Sequence, residues 1–462
     1  MLTRWPIVWR NFMKNLLSAK ELSVFAAALI GVLAFLYPIP GTGAYRNICF
    51  LLILVLIIAT AILGAREGES GWRELSFPWK NSCGTIFLAL SGWMLFRILI
   101  AENPVVRAAE WAEEWLIGGV LLCFITFVVT NQVLRNRGSV SVITIVFISL
   151  MCHVVWTLAY QIQLGLSGAH WLGFTPFAAR DFASTIVGYA FALSFVDRLS
   201  RSVKAPSLII IPDRLSKVCF ALCLLLIVTL NTRNGVLTIL AVTFFLFAAA
   251  LMNSNWKFSD LAKNPFASRV IVISVLLVFA SIIVDSRWMH FFDTLGITLG
   301  NQATIEVSEL SGAKAVESSL ALRLNYFRLG IAALIDYPLG VGYARDAFGE
   351  LMSRQGADER LVSSHSGLLD FTLANGLPAL ALWIFLSVMI VKGSLDLARS
   401  GNMSAFFLIS IWSTFFIRTL LDGHFSGWRL KLFAIIVGCL TAAILSRSQG
   451  NTPNDSIGYS PN

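Results

Sequence analysis

Charge is the scarcest feature of this sequence. Asp, Glu, Lys and Arg make up 13% of its 462 residues, about half the share found in soluble proteins. So little charge cannot cover the water-facing surface of a chain this long, which excludes a soluble globular enzyme. Cysteine is sparse as well. Cys49, Cys83, Cys123, Cys152, Cys219, Cys223 and Cys439 all fall in or at the ends of apolar runs, and the long polar stretch 286–365 holds none. Disulfides and thiolate metal sites are therefore not expected. The 33 glycines and 13 prolines are too few for a fibrous or disordered protein. No repeat of solenoid period and no inverted pair of broken helices is visible.

What the chain has instead is hydrophobic sequence, 57% of it, in long uncharged runs. A membrane span needs about 20 mostly apolar residues. On that basis the candidates are 22–39, 47–65, 82–100, 113–131, 140–162, 182–197, 216–232, 234–252, 269–286, 377–392, 403–420 and 429–446. The expected fold is an all-α polytopic integral membrane protein with about 12 transmembrane helices and one large outer loop containing amphipathic helices. It divides into an N-terminal segment 1–21, nine spans over 22–286, the loop 287–376, three spans over 377–446 and a tail 447–462. The weakest span is 182–197, short and ending at Asp197. The pair 216–232 and 234–252 reads as a hairpin pinched at Asn231-Thr232-Arg233-Asn234-Gly235. In the loop, Leu320, Leu324, Phe327, Ile331 and Leu334 recur at helical spacing and predict an amphipathic helix along the membrane surface. The N-terminus lacks a small-residue cleavage site after its first apolar run and reads as retained.

The net charge of +9 is carried in short segments between apolar runs, which argues for membrane topology rather than nucleic-acid binding. Twenty of the 35 basic residues fall on the N-terminal side of the spans. Of the other fifteen, seven lie in 286–365, where the inside-positive rule counts poorly. Both termini are thus expected in the cytoplasm, with the long loop outside it.

On the outer side, Arg180 precedes the sixth span and Arg233 sits at the hairpin tip. Arg323 and Arg328 lie on the loop helix. A lone arginine at a span end can simply snorkel to headgroups, a reading of about equal weight for any one of them. Several guanidiniums converging on one face would instead grip a diphosphate bidentately. Among the histidines, His153 is mid-span and reads as a packed, hydrogen-bonded core residue, while His170 and His290 read as solvated. His424, beside Asp422, is structural or a second-rank site residue. His365 stands in Ser363-Ser364-His365-Ser366-Gly367 at the end of the long loop, placed for general-base work.

His365-Ser366, nine residues and then Gly376-Leu377-Pro378 resembles the histidine motif of the O-antigen ligase family, although Ala379-Leu380-Ala381 replaces its Gly-Thr-Thr ending. Pro338-Leu339-Gly340-Val341-Gly342 and Thr232-Arg233-Asn234-Gly235 are similar to two turns of the same ligase/polymerase superfamily. The resemblance implies transfer of an O-antigen glycan from undecaprenyl diphosphate to a sugar hydroxyl of lipid A-core. The reaction would take place at the periplasmic face of the bacterial inner membrane. In that scheme His365 is the base for an inverting displacement, and Arg180, Arg233 and Arg323 hold the diphosphate, with Arg328 and His424 in reserve. The implied partners are the lipid-linked donor, the lipid A-core acceptor and membrane lipids, with no nucleic acid.

Three rivals stay open: an O-antigen polymerase, a protein O-glycosyltransferase and a lipid-linked glycan transporter. The Arg345 to Gly356 spacing is too common to favour the polymerase, and a transporter predicts charge at mid-span. No cofactor and no metal are expected. There is no Asp-x-Asp on the outer side, and Glu113 and Glu114 should point roughly 100° apart on a helix. The other outer pair is Asp358-Glu359.

Overall fold

The structure is a computed structural model that describes residues 19–66, 82–135, 141–168, 175–176, 180–230, 233–252, 268–269, 272, 276, 319–354, 364–399, 402–421, 423, 425 and 427–448. Among these residues all regular structure is helical. The early helices are α1 (Ala19–Leu36), α2 (Gly43–Arg66), α3 (Ser82–Leu99), α4 (Pro104–Arg135), α5 (Val142–Leu166), α6 (Arg180–Ser202), α7 (Asp213–Leu230) and α8 (Arg233–Met252). Two shorter ones follow, α9 (Ser319–Asp336) and α10 (Ala347–Arg354), then α11 (Gly367–Arg399), α12 (Ala405–Leu421) and α13 (Gly427–Ser448). Six of these, α2, α4, α5, α6, α11 and α13, contain stretches long and apolar enough to cross a bilayer. The chain is a multi-pass membrane protein. Helices coincide with eleven of the expected spans. The remaining one, 269–286, lies almost wholly outside the described residues.

The hydrophobic seams of these helices pack by small residues that let backbones approach. A Cβ on Gly438 of α13 would stand 2.4 Å from the Cys123 carbonyl oxygen of α4, and one on Gly31 of α1 would meet Ile145 of α5 at 2.3 Å. His153 is buried, hydrogen-bonded to Phe35 O at 2.7 Å and stacked on the Phe35 ring, the packed core residue that its position suggested. All seven cysteines are free thiols.

The span that looked weakest is the most central. In α6, 89% of the apolar window is buried inside the protein. Ser184, Thr185, Ser194, Asp197 and Ser200 give it low hydropathy because they face other helices rather than lipid. Asp197 is neutralised there by Arg201, 3.0 Å away, and accepts hydrogen bonds from Ser207 and Ser216.

Helix α4 is 32 residues long and winds as a π-helix over Ala112–Leu121. Glu113 is exposed and Glu114 buried, so the two carboxylates do diverge, and the Arg345 guanidinium spans both, at 2.7 and 2.9 Å. Helix α9 covers the expected apolar period, and its apolar residues fall on two faces. Phe327, Ile331 and Ile335 are exposed, whereas Tyr326, Leu329, Ala333 and Leu334 join a small core with Phe348, Leu351 and Met352 of α10. Gly330 makes this docking close, since a Cβ there would lie 2.5 Å from Leu369 of α11.

Candidate functional site

Two glycine turns build one end of the molecule. After α9 the chain passes Pro338-Leu339-Gly340-Val341-Gly342, with Gly340 at φ +74° and Gly342 at φ +94°. Helix α11 breaks at Gly376, φ +85°, two residues before Pro378. The turn lies directly against that break. Val341 N donates to Leu373 O at 3.0 Å, Gly342 N to Ala374 O at 2.9 Å, and Leu377 N to Pro338 O at 2.8 Å. A Cβ on Gly376 would be 2.4 Å from the Leu339 carbonyl carbon, and one on Gly340 would be 2.5 Å from Gly376 N. Only glycine permits both the left-handed backbone and the contact. Helix α3 fastens the same junction, Trp93 Nε1 donating to Asn375 O at 2.8 Å and Arg97 to Gly340 O.

An ion-paired collar surrounds this junction. Arg107, buried at the start of α4, pairs with both carboxylate oxygens of Glu350 at 2.8 Å and donates to Gly342 O at 3.3 Å. Arg354 bridges Glu350 and Glu102, at 2.7 and 2.6 Å. Burial works against ionisation of Glu350, but its hydrogen bonds from Arg107 and Arg354 outweigh it and hold the carboxyl below the usual glutamate range. Tyr343 donates to the buried Glu114 at 3.3 Å. Burial first, and Glu114 second, push the Tyr343 phenol well above its ordinary value, so it stays a neutral donor. Between these groups lies a cavity of about 40 Å³ lined by Glu114, Tyr343, Arg345, Asp370, Asn375 and Gly423. It has room for about one water molecule.

His365 stands at the mouth of this region. Ser366 caps α11, its Oγ accepting the Leu369 amide at 3.4 Å, and Asp370 reaches back to accept the Ser364 amide at 3.0 Å. Buried serines flank His365 on either side, while His365 itself is exposed and left-handed, φ +57°. A non-glycine residue held in that region marks a constrained position. The imidazole stacks against Tyr326 of α9 with ring centroids 6.2 Å apart and an angle of 15°. Tyr326 is one helical turn beyond Arg323, so α9 brings the Arg323 position and His365 to one neighbourhood.

The other expected site residues are distributed as follows. Arg328 is exposed on α9. Arg180 is the first residue of α6 and Arg233 the first of α8, each at a helix N-terminus, where backbone N–H groups favour an anion. The side chains of Arg180, Arg233 and Arg323 are outside what the structure describes, as are His424, Asp422, His170, His290 and Asp358-Glu359. Glu113 and Glu114, one of the two carboxylate pairs considered for a metal, are both engaged by Arg345.

The sequence reading missed Arg107, the collar role of Arg345, and Arg418. Arg418 is wholly buried on α12, its Nη2 3.9 Å from the place of a Cβ on Gly188 of α6. Arg107 meets a partner 243 residues away, which no local spacing could reveal. For Arg418, the available signal was a cation inside an apolar run, itself costly and therefore informative.

No curated protein matches this chain. A family model described as O-antigen ligase matches residues 218–384, from α7 through His365 and the Gly376 break into α11. Over that stretch the chain is similar to the O-antigen ligase family.

Proposed function

We propose that this protein is an O-antigen ligase, which transfers a glycan from undecaprenyl diphosphate to a sugar hydroxyl of lipid A-core at the periplasmic face of the inner membrane. The observation that carries this reading is the placement of the family's histidine. His365 is exposed at the N-terminus of α11, stacked on the helix that bears Arg323 and Arg328, inside the matched region. The chemistry follows from these parts. Diphosphate is already a good leaving group, so the protein must supply positive charge for it and a base for the attacking hydroxyl. Arg180, Arg233 and Arg323 supply the charge, with Arg328 and His424 in support. His365 removes the hydroxyl proton as the acceptor oxygen bonds to the anomeric carbon and the diphosphate departs with the bonding pair. Direct displacement inverts the configuration. The guanidiniums perform the charge neutralisation that a divalent metal would otherwise bring, so the reaction is metal-independent.

An O-antigen polymerase is the second reading, since the resemblance extends to both branches of the superfamily and the Gly-Thr-Thr ending is absent here. A transporter is less well supported. The large cavity among the described residues is walled by aromatic and aliphatic side chains rather than by a polar path. Lipopolysaccharide banding from a strain lacking this protein separates the readings. Core alone, with lipid-linked polymer accumulating, is the expected ligase outcome. Core plus a single repeat would identify a polymerase.

A further inference from the structure

The small polar cavity beside the junction is short of hydrogen-bond donors. It is lined by Asn375, wholly buried at the last residue before the Gly376 break. The Asn375 side-chain Nδ2 donates to Phe371 O at 3.0 Å, and because a carbonyl can only accept, this bond fixes which way the amide points. The Asn375 backbone oxygen is taken by Trp93 Nε1 at 2.8 Å. That leaves the side-chain Oδ1, buried and with no donor among the described residues. The donors in the lining are directed elsewhere. Tyr343 gives its hydroxyl to Glu114 at 3.3 Å, and Arg345 spans Glu113 and Glu114 at 2.7 and 2.9 Å. Asp370 is a further acceptor, engaged with the Ser364 amide at 3.0 Å. The cavity therefore asks for an occupant that donates. At about 40 Å³ it admits one polar group and not a ring.

We propose that this cavity is a subsite for the acceptor sugar. It takes one hydroxyl or hydroxymethyl arm, which donates to Asn375 Oδ1 while the ring stays at the mouth. The assignment rests on the ligase reading above. Three observations favour a sugar over a trapped water. At the rim the Arg345 side chain is 44% exposed, whereas Glu114 and Asn375 are buried, so the cavity opens past Arg345. Its walls include Phe371 and Phe425, stacked at 4.3 Å, beside carboxylate and amide oxygens. Apolar faces with a few fixed polar groups are what the C–H face and hydroxyls of a sugar require. The third observation is sidedness. Leu369 and Leu373 of α11 pack toward α9, which bears Arg323 and Arg328, whereas Gly367, Asp370, Phe371 and Asn375 line the cavity. The His365 loop joins the two sides, since Asp370 holds the Ser364 amide and Gly367 follows two residues after His365. A diphosphate gripped from the α9 side and a hydroxyl presented from the cavity side would approach the histidine from opposite directions. Direct displacement needs that arrangement, with nucleophile and leaving group on opposite sides of the anomeric carbon.

Two variants from different elements give the test. Asn375→Leu keeps the side-chain bulk and removes the acceptor oxygen. Gly423→Val narrows the cavity from the α12–α13 connection. A Cβ at Gly423 meets nothing closer than an Arg429 nitrogen at 3.9 Å, so that position has room for a side chain. Transfer is measured with purified full-length protein, using undecaprenyl diphosphate-linked glycan as donor and lipid A-core extracted from a strain lacking this protein as acceptor. Both variants are expected to raise KM for lipid A-core by about tenfold or more, since a site built to pair a hydroxyl loses that pairing. KM for the lipid-linked donor should stay at the wild-type value, a split that a merely structural role of Asn375 would not produce. If Asn375→Leu fails to fold, Gly423→Val decides. An unchanged acceptor KM in the folded variants means that the cavity holds water only and overturns the subsite. An equal rise in both KM values also overturns it. Either result leaves the ligase reading standing. Wild-type protein that extends lipid-linked glycan and leaves lipid A-core unmodified refutes the ligase reading itself, and the subsite falls with it.

Discussion

His365 is unusual less for being a histidine than for how it is held. Left-handed backbone costs a non-glycine residue about 1–2 kcal/mol, and here it is retained by Ser366 capping α11 and by Asp370 gripping the Ser364 amide. The imidazole is thereby turned outward onto Tyr326 instead of into the bundle. Replacing it with alanine should lower transfer by about 10²–10⁴-fold while leaving undecaprenyl diphosphate binding intact. Wild-type turnover by a folded His365→Ala protein would remove it from the mechanism. Glu350 permits a prediction in pH. Its folded pKa lies below the ordinary glutamate value, so the stabilisation it gives is present above that value. It is lost as pH falls through the folded pKa. Glu350→Gln should therefore unfold more easily than wild type near neutral pH, by about 1–2 kcal/mol. The difference should shrink as the pH drops below about 4. Thermal melts of the two proteins across that range test it, and a gap independent of pH would assign Glu350 a packing role only.

Between α9 and α11 the glycine turns do what neither helix can do alone. The turn at Gly340 and the break at Gly376 dock backbone to backbone through three hydrogen bonds, and the histidine loop begins eleven residues before that break. Gly376→Ala should cost about 2–4 kcal/mol, from the left-handed φ and the contact with Leu339. Activity should fall even where His365 is intact. A variant with normal melting temperature and normal transfer would show that the docking is dispensable. Much of this element was legible in sequence, because Pro, Gly and a helical apolar period announce turns and α9 directly. The packing face of α9 was not, because its outward stripe is apolar too and lipid rewards the same residues that a core does. The collar was hidden for a different reason. Arg107, Arg345 and Arg354 find carboxylates that the fold, not the chain, brings near. The polarity of α6 misled for a third, since hydropathy counts buried serines as if they faced lipid.

At the scale of the whole molecule, the described charge clusters gather at two ends. One end holds Arg107–Glu350, Arg354–Glu102 and Arg345 with Glu113 and Glu114. The other holds Asp197–Arg201, Arg198–Asp213 and Lys217–Asp213, beside the loop that Ser141 and Thr144 of α5 fasten at Leu208 and Ile210. Both clusters are reached by α4, α5 and α6 in succession, which must cross from one end to the other for the connections to be short. The excess of Lys and Arg on the side of Arg198, Arg201, Lys204, Arg214 and Lys217 is the ground on which we propose that this end faces the cytoplasm. Two side chains report the two ends cleanly. Glu102 is 70% exposed and Lys217 is 62% exposed, and each takes part only in surface ion pairs, which contribute little to stability. In intact cells with a permeabilised outer membrane, Glu102→Cys is expected to react with a membrane-impermeant maleimide. Lys217→Cys should react only after the inner membrane is opened. The native thiols should not confuse the result, because Cys152, the exposed one among them, lies mid-way along α5 among apolar residues, far from either charged end. Labelling of Lys217→Cys from outside, with Glu102→Cys protected, would invert the molecule and put the histidine site in the cytoplasm, away from any acceptor on the far side of the membrane.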